Sequence, residues 1–149
     1  MRYLVTLIAA FGVSACGGAA SRGKAAAPGT ASVAASTSQD ASRDSALEFL
    51  INAAARDFHD HRPPEPAQFR QVRLGYVVAS GGGRQYKLCG EFLPKQERGK
   101  AEWMPFATIK TSGYEQWLGP QAVAYCQGVT WDSAGDMSAQ LWSRFESVR

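Results

Sequence analysis

The sequence predicts an α+β fold: a small antiparallel sheet of three to four strands, with an N-terminal and a C-terminal helix packed on it. Three observations carry this expectation. Apolar residues recur at helical spacing on both sides of a central region. That region contains short runs in which apolar and polar residues alternate, the first two joined by Ser80-Gly81-Gly82-Gly83. The order helix, hairpin, further strand, helix belongs to an antiparallel sheet with helices laid on one side.

Taken in order, Leu47, Leu50, Ile51, Ala54 and Phe58 share one helical face, which predicts a helix from Ala46 to about His59. Ser45-Ala46-Leu47-Glu48 reads as a capping box at its start. Pro63-Pro64 and Pro66 stop it, because proline lacks a donor and pushes the preceding residue into extended conformation. Residues 69–78 read as a strand with Val72, Leu74 and Tyr76 on one face and Gln71 and Arg73 on the other. Residues 84–93 read as its hairpin partner, Tyr86, Leu88 and Phe92 alternating against Lys87, Cys89 and Glu91. A third strand is expected over 103–110, placed at an edge or near a bulge by Pro105. Residues 114–118 suit a strand or a loop, and Pro120 opens a short helix to Cys126. Asp136 or Ser138 caps a last helix whose face carries Leu141, Phe145 and Val148.

Three segments are expected: a signal peptide over 1–15, a cysteine and flexible tether over 16–43, and one globular domain over 44–149. Residues 3–11 form an apolar run behind Arg2. As helix, such a run reaches about 15 Å, half of a bilayer's hydrocarbon core, so it suits a signal-peptide h-region and not a span. Val13-Ser14-Ala15-Cys16 follows, a branched apolar residue, two small residues and a cysteine. This resembles the lipobox of bacterial lipoproteins, although Val13-Ser14-Ala15 also passes as an ordinary secretory cleavage site. The resemblance implies that Cys16 becomes the acylated N-terminus and partners the lipid bilayer. It implies a bacterial cell envelope address, and Gly17 in place of aspartate favours the outer membrane, facing the periplasm. Residues 17–43 are almost entirely Ala, Gly, Ser and Thr, too poor in apolar surface to order themselves, and read as a tether of about 30 Å r.m.s. span.

The formal charge is +3, but from Asp44 onward there are 12 basic and 12 acidic residues. With no basic run and no RNA-binding aromatic signature, a nucleic-acid partner is not expected. Arg22, Lys24 and Arg43 on the tether serve mainly solubility. Once Cys16 is acylated, Cys89 and Cys126 remain as an even pair in an oxidising compartment, which predicts a structural disulfide. The alternative is a redox or metal pair, but no Cys-x-x-Cys motif is present.

A second resemblance follows from Glu65-Pro66-Ala67-Gln68-Phe69-Arg70-Gln71-Val72, then Leu88-Cys89-Gly90-Glu91-Phe92, then Gly99 and Trp103-Met104-Pro105-Phe106. These are similar to a group of small exported bacterial proteins of no established activity, which carry a Cys-Gly-Glu strand motif. This chain has Phe92-Leu93-Pro94 where the group has Val-Asn. The resemblance spans about residues 65–110 and implies fold and envelope address only.

Candidate chemistry is sparse. His59-Asp60-His61 with Asp57 is the histidine cluster, but residues two apart on a helix face different ways, and the position suits a solvated helix end. Glu91 can pair with Glu102 or Glu115 as two acids for glycoside cleavage, or with a basic side chain. No cofactor or metal is expected. The aromatics Trp103, Tyr114, Trp117, Tyr125, Trp131 and Trp142 are expected mostly to fill a core poor in Ile and Leu. The stretch 111–117 mixes polar groups with two large aromatics, so Tyr114, Gln116 and Trp117 form the candidate binding surface. The expected function is a non-enzymatic binding or accessory module contacting an envelope protein or peptidoglycan. The alternative is a small cell-wall hydrolase using Glu91 or His59 and His61.

Overall fold

A five-stranded antiparallel sheet in the order β4-β3-β2-β1-β5 forms the middle of the protein. The computed structural model describes residues 30–61, 64–96 and 99–148, so the lipobox-like residues 13–16 and the tether before Thr30 lie outside the described residues. The strands are β1 (Pro66–Val78), β2 (Arg84–Pro94), β3 (Met104–Lys110), β4 (Tyr114–Leu118) and β5 (Thr130–Trp131). The helices are α1 (Thr30–Asp60), α2 (Pro120–Cys126) and α3 (Ser138–Ser147). The α+β class is as the sequence predicts, with one more strand than expected.

Alternation along the strands gives the sheet two faces. Leu74 opposes Leu88, which opposes Thr108, and Tyr76 opposes Tyr86. This face carries the main core, into which α1 sends Leu50, Ile51, Ala54 and Phe58, and α3 sends Leu141 and Phe145. Phe58 meets the rings of Phe69, Phe92 and Phe106 at centroid distances of 5.2, 4.9 and 5.3 Å. A phenylalanine cluster thus replaces the missing Ile and Leu. The six Trp and Tyr residues expected mostly to fill the core flank it instead: Trp142 is half-buried against the core, and Tyr114 and Trp131 are exposed.

The opposite face carries Arg73 on β1, Lys87, Cys89 and Glu91 on β2, and Pro105 and Ala107 on β3. A second, smaller cluster forms there where Ala122, Tyr125 and Cys126 of α2 pack on Cys89, Ala107 and Trp117. The helices are therefore not all on one side: α1 and α3 share one face, and α2 lies on the other.

Three further expectations are corrected. The described part of the tether, from Thr30 to Arg43, is helix, and Ser45 lies within α1 and does not cap it. Once Ala46 to Phe58 is packed on the sheet the helix is nucleated, and the Ala-rich stretch before it propagates it at little cost. Arg43 adds a long-range clamp. Its Nε and Nη2 donate to Asp132 at 2.8 and 2.6 Å, and Asp44 accepts from its Nη1. Second, Pro105 is not on an edge strand, since β3 lies between β2 and β4. Its carbonyl accepts from Gly119 N–H at 2.8 Å, just past the last β4 ladder residue, so the missing donor falls where the ladder ends. Third, Thr130 and Trp131 join the sheet beside Tyr76 and Gly75 as a short edge strand that two residues did not announce.

Candidate functional site

The residues that alternate away from the main core need a cover, and α2 covers only part of them. The rest forms an open cleft of about 600 Å³. Its floor is Arg73, Cys89, Glu91 and Pro105. One wall is α2, through Ala122, Val123 and Cys126; Trp131 and Asp136 line it as well. Val123 and Trp131 are 48% and 39% exposed, two of the four large hydrophobics left exposed among the described residues, and both line this cleft.

Each wall is held by identifiable interactions. Cys89 and Cys126 are joined as a disulfide, which ties α2 to the central strand β2. Two residues earlier on the same strand face, the buried Lys87 donates from Nζ to the Tyr125 carbonyl at 2.9 Å. Burial lowers the pKa of its ammonium. The ring of Tyr125 stacks on Trp117 at 4.8 Å.

The other side depends on a β-bulge. Arg70 pairs with Glu91 and Arg73 with Cys89, so Gln71 and Val72 together oppose Gly90. Gln71 has φ 53°, the sole non-glycine residue in the left-handed region among the described residues. Asp136 holds it there: its carboxylate accepts the N–H groups of Gln71 and Val72 at 3.2 Å each, that of Ser138 at 2.8 Å, and the Ser138 hydroxyl. Partial burial pushes the Asp136 pKa up, but these hydrogen bonds outweigh it and hold the carboxyl below its ordinary value. Gly90 is required beneath the bulge, because a Cβ there would stand 2.9 Å from Val72 Cγ2 and 3.0 Å from Val72 Cα. The Cys-Gly-Glu motif thus places a disulfide, a bulge seat and an ion pair on consecutive residues.

Charge in the cleft is unevenly compensated. The Glu91 carboxylate accepts from Arg70 Nε at 2.6 Å, and Arg70 in turn stacks over Trp103 at 4.1 Å. The guanidinium of Arg73 lies over the Trp131 ring at 4.9 Å, and no carboxylate pairs with it among the described residues. Trp131 reaches this position because Gly75 lets β5 approach: a Cβ on Gly75 would stand 2.2 Å from Val129 Cγ1 and 2.9 Å from the Thr130 carbonyl.

The residues singled out in the sequence do not converge. Tyr114 and Gln116 point to the helix side of β4 and Trp117 to the other. Tyr114 donates to Asp57 of α1 at 3.1 Å, and burial beside that carboxylate raises its pKa. Gln116 accepts from Thr108 at 2.8 Å, and Trp117 lies half-buried under α2. The histidines use separate carboxylates, His59 with Asp60 at 2.9 Å and His61 with Asp57 at 3.2 Å. The His59 contact lowers the Asp60 pKa. No group of three or more metal-ligating side chains occurs among the described residues. Glu91 pairs with Arg70 and lies on the face of the sheet opposite α1.

Strand alternation already put Arg73, Lys87, Cys89 and Glu91 on a common face. Alternation also placed Gln71 beside Arg73, but its left-handed bulge, Trp131 and Asp136 carried no such signal, since their places depend on β5 pairing and on hydrogen bonds spanning more than sixty residues. Compared with protein-family models, curated proteins and solved structures, the chain matches none, so any reading of its function rests on its own residues.

Proposed function

We propose that the protein is a lipid-anchored module of the bacterial cell envelope that binds another envelope component, a protein or cell-wall material, through the cleft between α2 and β5. The observation that carries this reading is the cleft itself. Exposed Trp131 and Val123 face a floor of Arg73 and Glu91, the mixture of apolar wall and few oriented polar groups typical of ligand sites. The site stands on strands and a cross-linked helix, which suits binding by a preformed surface. The binding surface proposed from sequence therefore moves from Tyr114, Gln116 and Trp117 to Trp131, Arg73 and Val123.

The anchor reading rests on Val13-Ser14-Ala15-Cys16. No described helix is long and apolar enough to cross a membrane. α1 runs about 20 Å from Thr30 to Arg43, whose guanidinium is held by Asp132, and this length would set the domain away from an acylated Cys16. Labelling with a clickable fatty acid tests the anchor; label that persists in Cys16→Ser would refute it. A photo-crosslinking amino acid in place of Trp131 tests the cleft in cells, alongside pull-down on isolated peptidoglycan. Capture of a discrete envelope protein or of wall material supports the reading. Release of soluble sugar or peptide from the wall would favour a hydrolase, and crosslinks absent at Trp131 but present at Tyr114 would return the surface to β4.

A further inference from the structure

We infer that the cleft receives the free C-terminus of a polypeptide, its carboxylate on Arg73 and its last apolar side chain against Val123 and Pro105. This rests on the cleft being the binding site and goes further in naming what it recognises.

The partners of the charged groups indicate what the cleft can take. Of the ionised groups lining the cleft, Glu91 is neutralised by Arg70, and Asp136 is saturated by three N–H groups and a hydroxyl. Arg73 is the group left over: a half-buried guanidinium held against Trp131, with no carboxylate partner among the described residues. Held over the indole and bonded to no polar side chain among the described residues, the Arg73 guanidinium keeps its fork of N–H donors for a carboxylate, which it can hold in bidentate fashion. Arg73 is thus the lining charged group with hydrogen-bonding capacity to spare, and a carboxylate is the acceptor that suits it.

The surroundings decide what bears the anion. Val123 and Pro105 present an apolar surface in the same cleft, and Gln71 and Gln127 are among its lining residues. An apolar group next to the carboxylate and peptide bonds behind it match this arrangement. A sugar is a poorer match, because the guanidinium already covers one face of the Trp131 ring on which a pyranose would stack. The volume, about 600 Å³, suits a few residues of chain and not a folded surface. Capture of a terminal carboxylate by a fixed cationic or N–H receptor is a recurring mode of peptide recognition.

The test is calorimetry on the full-length chain in detergent, with acetyl-Ser-Ala-Val as free acid and as C-terminal amide. A charge-assisted hydrogen-bonded pair predicts that the acid binds at least about tenfold more tightly. Arg73→Gln should bring the acid down to the affinity of the amide. Arg73→Lys, which keeps the charge and loses the fork, should retain part of the preference. Arg84→Gln removes a guanidinium stacked on Tyr76 outside the cleft, and should leave both affinities unchanged. Equal affinity for acid and amide, no binding of either, or an acid preference that survives Arg73→Gln would each overturn the inference. If the peptides fail while Trp131 crosslinks a partner in cells, terminal recognition is wrong and the binding cleft stands.

Discussion

Removing the Cys89–Cys126 disulfide should weaken the domain and its cleft together. The bond closes a loop with a sequence separation of 37 residues. In the chain-entropy account, releasing such a loop returns about 13 cal/mol/K to the unfolded chain, or about 4 kcal/mol at 25 °C. Domains of this size hold roughly 5–15 kcal/mol in total, so the variant should fold but be conspicuously weakened. The double variant Cys89→Ala/Cys126→Ala is the appropriate perturbation, since a single change leaves a reactive thiol. At a urea slope of about 1.5 kcal/mol/M, its midpoint should fall by roughly 2–3 M, and the slope should rise because the unfolded chain is no longer cross-linked. The structure adds a local consequence: α2 keeps the Lys87 hydrogen bond, the Trp117–Tyr125 stack and the small packing of Ala122 on Ala107. Hydrogen exchange should therefore speed up most in Ala122–Cys126 and least at the Phe58 cluster. A midpoint shift equivalent to less than about 1 kcal/mol, or exchange rising uniformly, would refute the argument that this bond is what seats α2.

Three further outcomes are expected. Gly75→Ala puts a Cβ against Val129 and the Thr130 carbonyl, and should cost about 1–3 kcal/mol in denaturant titration while displacing Trp131, visible as a shift in tryptophan emission. A double-mutant cycle on Arg43 and Asp132 should give a coupling of about 1–3 kcal/mol, above an exposed pair because two charge-assisted bonds are three-quarters shielded. The Arg43 hydrogen bonds lower the Asp132 pKa from its ordinary 3.8. That contribution is thus complete above about pH 4 and lost as the pH falls through the folded-state value, and Asp132→Asn should flatten the acid limb of stability against pH. For Lys87 the slope has the same sign but lies at alkaline pH, and its origin is a burial cost and not a favourable pair. Burial lowers its pKa from 10.5, so between the folded value and 10.5 the unfolded chain holds more protons and stability rises with pH. Lys87→Met should abolish that rise and change stability at neutral pH by no more than about 1–2 kcal/mol.

Much of the scaffold is legible in local pattern. Period-2 alternation in β1 and β2 separates Leu74 and Leu88 from Arg73 and Cys89 without reference to anything distant, because successive side chains on a strand must point opposite ways. Helical spacing likewise identifies Leu50, Phe58, Leu141 and Phe145 as core. The start of α1 was not legible, because the Ala-rich stretch suits either a solvated chain or a propagated helix, and a packed nucleus with the Arg43–Asp132 pair tips the balance.

By itself the sequence determined the α+β class, the two sheet faces and the neutral balance of the domain, all from periodicity and counting; it points to the Cys89–Cys126 bond only on the reading that Cys16 is acylated. Tertiary structure alone decided where α2 lies, that Gln71 takes a left-handed bulge under Asp136, and that Trp131 meets Arg73. The reason is physical. Such contacts join residues far apart in the chain, and each is paid for by the packing of elements that say nothing locally about their neighbours. The cleft is made almost entirely of contacts of that kind.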